Sequence, residues 1–187
     1  TDTEIARARV DFGQTALVLK PVISAGAKNT LIWEGEALSE LSSEVRDVED
    51  KKLAVPEGRA MIQPFMPAIQ SEGEWSLLYF AGQFSHAVLK TPKSGDFRSQ
   101  PDYDAHLRTL PAPPQALALA EAAVSFIGRG RLLYARVDMV RHADDGFCLM
   151  ELELIEPDLY LTHDPEAAMR FKDAFESALH IGCGCHP

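Results

Sequence analysis

Residues 132–157, LLYARVDMVRHADDGFCLMELELIEP, form the stretch of sequence that decides the fold. Two segments rich in apolar residues, 132–140 and 147–157, flank a turn signal at residues 143–146, so the sequence predicts an antiparallel hairpin. Side chains alternate along a strand, and one face of this hairpin is therefore apolar. The residues on that face are Ala135, Val137, Met139, Met150, Leu152 and Leu154.

The opposite face of the hairpin gathers three carboxylates around one guanidinium. If the turn centres on residues 144–145, Asp138 lies opposite Glu151 and Arg136 lies opposite Glu153. If it centres on residues 145–146, Asp138 faces Glu153 instead. Carboxylates crowded in this way suit Mg²⁺, which binds hard oxygen ligands and shares itself with phosphates. The alternative is an ordinary solvated face on which Arg136 and Glu153 form a cross-strand pair.

Composition and charge bound the class of protein. The chain has 187 residues and a formal net charge of −10, which argues against sequence-independent nucleic-acid binding. It has neither an apolar run of about 18 residues nor an apolar segment at its start, so neither a membrane span nor a signal peptide is expected. Three cysteines without a secretion signal favour the cytoplasm. The tail Cys183-Gly184-Cys185-His186 is either half a metal site or a frayed end.

The order of predicted elements indicates an α+β fold, with antiparallel sheet and helices packed against it, rather than a doubly wound sheet. The polar segment at residues 93–114 has no clear period and is either an active-site loop or a connector. Strands are predicted at residues 16–20, 31–33, 60–65, 75–80 and 84–90, and helices at residues 36–48, 115–127 and 165–181.

A lysine followed by a loop of small residues indicates a phosphate site near the start of the chain. Lys20 ends a strand, and the loop at residues 24–30 contains Gly26 and Lys28. Backbone N–H groups in such a loop can approach phosphate closely. The loop does not match the Walker pattern, so a P-loop is excluded. Taken singly, a lysine at a strand end is also typical of a solvent-facing position.

Four stretches in chain order resemble the ATP-grasp superfamily of carboxylate–amine and carboxylate–thiol ligases. They read VLKPVISAGAKNT, IQPFMPAIQSEGEWSL, SHAVLKTP, and RVD followed by LMELELIEP, and together they cover nearly the whole chain. Within that superfamily they are similar to the C-terminal part of a bacterial group related to glutathione synthetase, which includes O-ureido-D-serine cyclo-ligase-like members. The resemblance implies two lobes of antiparallel sheet with flanking helices and a nucleotide bound between them.

The resemblance also implies a role for each matching residue. Arg136 is similar to the arginine that steadies the transferred phosphoryl group and the acyl-phosphate oxyanion, and Arg98 to a residue that holds phosphate or the substrate carboxylate. The nucleotide-binding positions are Lys20 for the α- and β-phosphates, Ser24, Gly26 and Lys28 in the lid, Gln63, Pro64, Phe65 and Met66 in the hinge that reads adenine, Glu74 for the ribose, and Lys90 as a second lysine.

The implied magnesium ligands are Asp138, Glu151 and Glu153. One departure matters here, because the superfamily usually has asparagine where this chain has Glu153. The additional charge either tightens metal binding or moves the third ligand elsewhere, with Glu156 as a neighbouring candidate.

The function that follows is an ATP- and Mg²⁺-dependent ligase, with Mn²⁺ as an alternative metal. It would act through an acyl phosphate on an amino acid or small peptide, with an amine or thiol as acceptor. Residues 1–64 would be the small lid lobe and residues 65–187 the C-terminal lobe, so the chain would be the ATP-binding part of a longer protein. The alternatives are a catalytically inactive ATP-binding regulatory module and an acidic protein-interaction domain. Oligomeric state stays open, although dimers are common in the families that the chain resembles.

Overall fold

The computed structural model of the chain describes residues 1–13, 16–22, 30–34, 60–93, 98–99, 104–142 and 144–182. It divides into two compact units, Thr1–Phe65 and Met66–Pro187. Both units combine antiparallel sheet with helix, so the predicted α+β class is confirmed. The helix predicted at residues 36–48 lies outside the described residues, as do Ser24, Gly26 and Lys28 of the predicted lid and the cysteines of the tail.

The described residues of the first unit form a three-stranded antiparallel sheet and one helix. The sheet order is β2-β1-β3. The helix begins with a capping box, in which Thr1 and Glu4 satisfy each other's backbone N–H groups, and ends at Gly13 in the left-handed conformation. This helix was missed from the sequence, because its two buried residues, Ile5 and Ala8, are too few to give a clear period. The elements are α1 (Asp2–Phe12), β1 (Leu17–Pro21), β2 (Leu31–Trp33) and β3 (Ala60–Pro64).

The second unit is built on a five-stranded antiparallel sheet in the order β6-β5-β4-β7-β8. Its strands are β4 (Glu74–Phe80), β5 (Gln83–Thr91), β6 (His106–Thr109), β7 (Tyr134–Arg141) and β8 (Phe147–Glu153). Its helices are α2 (Ala68–Ser71), α3 (Pro114–Ile127), α4 (Ala167–Gly182) and two 3-10 turns, Arg129–Arg131 and Leu161–His163. None of the helices formed by the described residues is both long and apolar enough to cross a membrane.

One face of the five-stranded sheet forms the main core against α3. Alternate residues of the central strands point to this side, and helix residues Ala116, Ala120 and Val124 pack on them with no exposed surface. The buried strand residues in this core are Trp75, Leu77, Tyr79, Ala87, Leu89, Ala135, Val137 and Met139. Because the central part of this face is apolar, the alternation places Glu74, Ser76, Lys90, Arg136 and Asp138 of the same strands on the other side of the sheet.

The hairpin of β7 and β8 confirms one of the two expected registers. Asp138 pairs with Glu151 and Arg136 pairs with Glu153. Nearer the turn, however, Met139 pairs with Leu149, so Met150 is an extra residue that forms a β-bulge. The bulge shifts the register by one residue between the turn and the charged end of the hairpin.

The segment at residues 93–114 was expected to be a loop, and the structure corrects this in part. His106–Thr109 forms β6, which pairs with the end of β5 at the edge of the sheet. Most of its side chains are exposed, as is typical of an edge strand with one neighbour. Four residues without apolar alternation give no strand signal in the sequence, which explains the error.

Gly73 permits the close approach of two strands beside Lys90. Its φ is +121°, and a Cβ placed there would lie 2.6 Å from the Lys90 carbonyl oxygen. We expect Gly73→Ala to lower the free energy of unfolding by about 2–3 kcal/mol, because both the backbone conformation and the contact disfavour a side chain. Urea denaturation followed by circular dichroism measures this.

Gly130→Ala is the matched control, because a Cβ at Gly130 meets no atom within 4 Å. Its unfolding free energy should stay within about 0.5 kcal/mol of the parent chain. Equal effects of the two substitutions would contradict the assignment of a steric role to Gly73.

Candidate functional site

The charged cluster is assembled by the register of four neighbouring strands. Residue pairs that face each other across the sheet bring their side chains to the same face. On β4 and β5, Glu74 lies opposite Lys90, and on β4 and β7, Ser76 lies opposite Asp138. The hairpin then adds Glu151 and Glu153 from β8. Sheet pairing alone therefore brings residues that are far apart in the sequence into one cluster.

Lys90 lies at the centre of this cluster. Its Nζ is 3.0 Å from Glu74 Oε2 and 3.4 Å from Asp138 Oδ2, and its side chain is only 3% exposed. Burial alone would lower the pKa of Lys90, but the charges of Asp138 and Glu74 outweigh burial, so its pKa lies above the ordinary value. Lys90 therefore remains protonated at every physiological pH.

Asp138 is the carboxylate on which the cluster converges. Arg136 Nε donates to both of its oxygens, at 3.0 and 3.2 Å, and the Ser76 hydroxyl donates to Oδ1 at 2.6 Å. Burial opposes its ionisation, yet the charges of Lys90 and Arg136 and the Ser76 hydrogen bond hold the pKa of Asp138 below its usual range. The ionised carboxylate is thus fixed in one orientation.

Arg136 connects Asp138 with the β8 carboxylates. Its Nη2 lies 3.0 Å from Asp138 Oδ2 and also bonds to Glu153 Oε1, while Nη1 donates to the Asp158 carbonyl at 3.4 Å. Burial alone would lower the pKa of Arg136, but the charges of Asp138 and Glu153 outweigh burial and raise it. The guanidinium is therefore a permanent and firmly held positive charge.

Three carboxylates of the hairpin lie close enough to share a cation. One oxygen from each of Asp138, Glu151 and Glu153 falls within 4.8 Å of the others. Partial burial, followed by repulsion from Glu151 and Asp138, raises the pKa of Glu153 to about 7 even though Arg136 opposes the shift. Glu156 is exposed and is not one of these three.

The charge balance of the cluster favours a divalent cation. When Glu74, Asp138, Glu151 and Glu153 are all ionised, they exceed the two cations of the cluster by two charges. The three carboxylates offer only oxygen ligands, which suit a hard cation. Because Glu151 is exposed to solvent, such a cation can also retain water ligands. The residues present therefore fit Mg²⁺.

Two buried serines of the site were missed in the sequence. Ser76 has no exposed surface and donates to Asp138, while Ser99 is 1% exposed and its hydroxyl donates to Glu74. Ser76 lies two residues after Glu74 on the predicted strand, so its position on the charged face could have been read from the alternation. Ser99 follows residues outside the described ranges, and nothing in the sequence indicated its contact.

Comparison with solved structures identifies the fold. The crystal structure of D-cycloserine synthetase DcsG superposes with a TM-score of 0.74 at 27% identity, covering 95% of this chain and 61% of that chain. The chain has the ATP-grasp fold. D-alanine–D-alanine ligase from Bacillus anthracis, solved with ATP, gives a TM-score of 0.58 at 18% identity, covering 92% of this chain and 55% of that one. The ATP-grasp ligase PsnB, solved with a phosphomimetic variant of its minimal precursor, Mg and ADP, gives a TM-score of 0.57 at 16% identity. The match covers 93% of this chain and 51% of that chain.

Sequence comparison agrees with the ATP-grasp assignment. The cycloserine biosynthesis protein DcsG of Streptomyces lavendulae is 32% identical in an alignment of 129 residues, and the match covers 64% of this chain and 42% of that protein. No family model matches the sequence. The chain thus spans less than half the length of this relative. The resemblance to ATP-grasp ligases stated from the motifs is confirmed in both sequence and structure.

The remaining residues assigned from the ATP-grasp resemblance are distributed over both units. Lys20 is half-buried on β1, and Gln63 and Pro64 end β3 in the first unit. Arg98 is half-buried beside Ser99 in the second unit. Glu74, assigned to the ribose, is 7% exposed and bonds to Lys90 and Ser99, so its contact with ribose stays a prediction.

Proposed function

We propose that this chain is the ATP-binding part of an ATP- and Mg²⁺-dependent ligase that joins a carboxylate to an amine or thiol. The observation that carries the proposal is the carboxylate trio beside Arg136 and Lys90 on an ATP-grasp sheet. The substrates would be an amino acid or small peptide, in keeping with the D-alanine–D-alanine ligase and DcsG similarities. The whole protein's substrates and assembly, including a homodimer, are part of the proposal.

The proposed reaction transfers the γ-phosphoryl group of ATP to the substrate carboxylate. The bond between the γ-phosphorus and the bridging oxygen breaks, ADP leaves, and the carboxylate oxygen becomes bonded to phosphorus as an acyl phosphate. The amine or thiol then attacks the carbonyl carbon and loses its proton, and inorganic phosphate departs. No side chain acts as a nucleophile, so catalysis depends on position and charge.

Fixed positive charge is the contribution of the chain's own residues. Both reactants are anionic, and a buried guanidinium that does not deprotonate can face the charge that accumulates on the transferred oxygens. Arg136 supplies such a guanidinium, the buried Lys90 ammonium supplies a second fixed positive charge, and Arg98 is proposed to assist them. Lys20, Ser24, Gly26, Lys28 and the hinge residues Gln63, Pro64, Phe65 and Met66 are proposed to bind the nucleotide.

The three hairpin carboxylates are proposed to hold Mg²⁺, with Mn²⁺ as an alternative. When bound, the metal neutralises phosphate charge and aligns the phosphoryl group. Asp138 is ionised and oriented in advance by Arg136 and Ser76, and Glu151 is exposed. Glu153 requires loss of its proton, because its pKa lies at about 7.

Calorimetry of ATP binding tests the proposal, with and without Mg²⁺ and at about pH 6 and about pH 8. We expect nucleotide affinity to increase with Mg²⁺, and the Mg²⁺ effect to be roughly tenfold larger at the higher pH, since metal binding requires ionised ligands. Glu153→Gln should remove most of this pH dependence. Absence of ATP binding under every condition would refute the proposed function.

One control variant defines the pH effect on Mg²⁺-dependent binding. Glu156→Gln removes an exposed carboxylate outside the trio and should leave the pH dependence as in the parent chain.

Without metal, the raised pKa of Glu153 means that the folded state binds a proton more tightly than the unfolded state. The contribution of Glu153 to stability should therefore fall as pH rises from 4.5 to about 7. Urea denaturation of the parent chain and of Glu153→Gln measures this contribution. If the free energy of unfolding contributed by Glu153 increased over this pH interval, the assigned direction of its pKa shift would be wrong.

A second candidate function is an ATP-binding regulatory module without ligase activity. The glutamate at position 153, where ATP-grasp ligases usually have asparagine, favours it. Both candidates predict Mg²⁺-dependent nucleotide binding. Release of ADP that depends on an added amine or thiol, measured on a protein containing this chain, would exclude the regulatory module.

A further inference from the structure

Tyr160 has an unusual backbone conformation in a buried place. Four described residues other than glycine have positive φ: Ala81, Asp104, Asp145 and Tyr160. The first three lie in exposed turns, where such conformations are common. Tyr160, at φ +46°, is only 5% exposed. A bulky side chain rarely adopts this conformation, so the surrounding structure must enforce it.

The segment around Tyr160 contacts Arg136 in two ways. The Arg136 Cζ lies over the Tyr160 ring, 5.8 Å from its centroid. Asp158 supplies the second contact, because its carbonyl accepts from Arg136 Nη1 at 3.4 Å while its carboxylate accepts from the Tyr160 N–H at 2.9 Å. The turn that gives Tyr160 its positive φ is thus tied to the same guanidinium that its ring covers.

Tyr160 also packs on apolar residues of the sheet face that carries Arg136. It packs with Leu78 and Val88, which are the neighbours of Arg136 and Ser76 on the same sheet face. Burial raises the pKa of Tyr160, against the charges of Lys90 and Arg136, so the phenol stays neutral beside both cations.

We propose that Tyr160 is a positioning residue that holds the Arg136 guanidinium in the orientation needed to meet the transferred phosphoryl group. This inference rests on the proposed function. The carboxylates of Asp138 and Glu153 bind the edge of the guanidinium, and the ring of Tyr160 fixes its plane. Edge contacts alone leave a guanidinium free to tilt, whereas an aromatic ring on its face removes that freedom.

The first test observes the Arg136 Nε–H signal by NMR in the chain without nucleotide. An aromatic ring next to the guanidinium displaces this proton signal by its ring current. Tyr160→Phe keeps the ring and should leave the signal in place. Tyr160→Asn, which tolerates a positive φ but has no ring, should shift it. An unchanged signal in the folded Asn variant would overturn the proposal.

The second test compares a non-hydrolysable ATP analogue with ADP, both with Mg²⁺. Because Arg136 is proposed to meet the γ-phosphoryl group, Tyr160→Asn should weaken the analogue about tenfold and ADP less than twofold, while Tyr160→Phe restores the parent values. In an Arg136→Gln background, Tyr160→Asn should have no further effect. Equal weakening of both nucleotides would indicate a merely structural role and overturn the proposal.

Two further variants complete the design. Tyr134→Leu removes a ring that packs on Phe171 and a hydroxyl that donates to the Ile155 carbonyl. It should alter neither the Arg136 Nε–H signal nor the nucleotide affinities. Tyr160→Leu replaces Tyr160→Asn if the latter does not fold. If the parent chain binds no nucleotide, the proposed function fails, while the NMR contrast still decides whether the Tyr160 ring lies against the Arg136 guanidinium.

Discussion

Asp138→Asn is expected to weaken Mg²⁺-dependent nucleotide binding at least about a hundredfold, because it removes the carboxylate on which the whole cluster converges. Asparagine keeps the size of the side chain and can still accept from Ser76. It also leaves Lys90 and Arg136 with less compensating charge, so the free energy of unfolding should fall by about 2–3 kcal/mol. Calorimetry with Mg²⁺ and urea denaturation measure the two effects.

Glu151→Gln separates binding from stability. Glu151 is exposed, so its loss should weaken the Mg²⁺ effect while the unfolding free energy stays within about 0.5 kcal/mol. The double variant Asp138→Asn/Glu151→Gln should show no Mg²⁺ dependence at all. Unchanged Mg²⁺-dependent affinity in a folded double variant would rule out the hairpin as the metal site.

Lys90→Met should be the most destabilising change in the second unit, lowering the free energy of unfolding by about 3–5 kcal/mol. The ammonium of Lys90 balances the negative charges of Glu74 and Asp138. Its removal leaves two buried carboxylates that repel each other. Adding Glu74→Gln should recover part of the loss, since the excess negative charge then decreases. Chemical denaturation of the single and double variants gives both values.

The chain offers a closely matched control for this prediction. Lys93 and Asp104 have the same 3.0 Å separation between nitrogen and oxygen as Lys90 and Glu74, but their side chains are 65% and 78% exposed. Lys93→Met should therefore change the unfolding free energy by no more than about 0.5 kcal/mol. Similar losses of unfolding free energy in Lys90→Met and Lys93→Met would show that burial does not set the strength of the Lys90–Glu74 pair.

Local patterns in the sequence were sufficient for the elements that carry the site. The hairpin of β7 and β8 has clear alternation and a strong turn signal, so the face shared by Arg136, Asp138, Glu151 and Glu153 follows from the order of the residues alone. The choice between the two registers does not, because both registers place the same four charged residues on one face and the bulge at Met150 leaves no signal in the alternation.

Contacts between distant segments were the part that sequence reasoning could not supply. Ser99 reaches Glu74 from a loop, and Tyr160 reaches Arg136 from a turn after the last strand. Neither contact follows from periodicity, since both depend on how irregular segments fold back over the sheet. The resemblance implies a ribose contact for Glu74, which stays a prediction, and the structure adds bonds from its carboxylate to Lys90 and Ser99 that a motif does not reveal.

The bulge at Met150 also determines where the hairpin can change length. Deleting Met150 would leave Leu149 opposite Met139 and Glu151 opposite Asp138, so the cluster would keep its partners. Deleting Leu152 instead would turn Glu153 toward the core beside Val137. Insertions and deletions during divergence should therefore accumulate on the turn side of Glu151, whereas the spacing from Glu151 to Glu153 is held constant by the two-residue repeat of the strand.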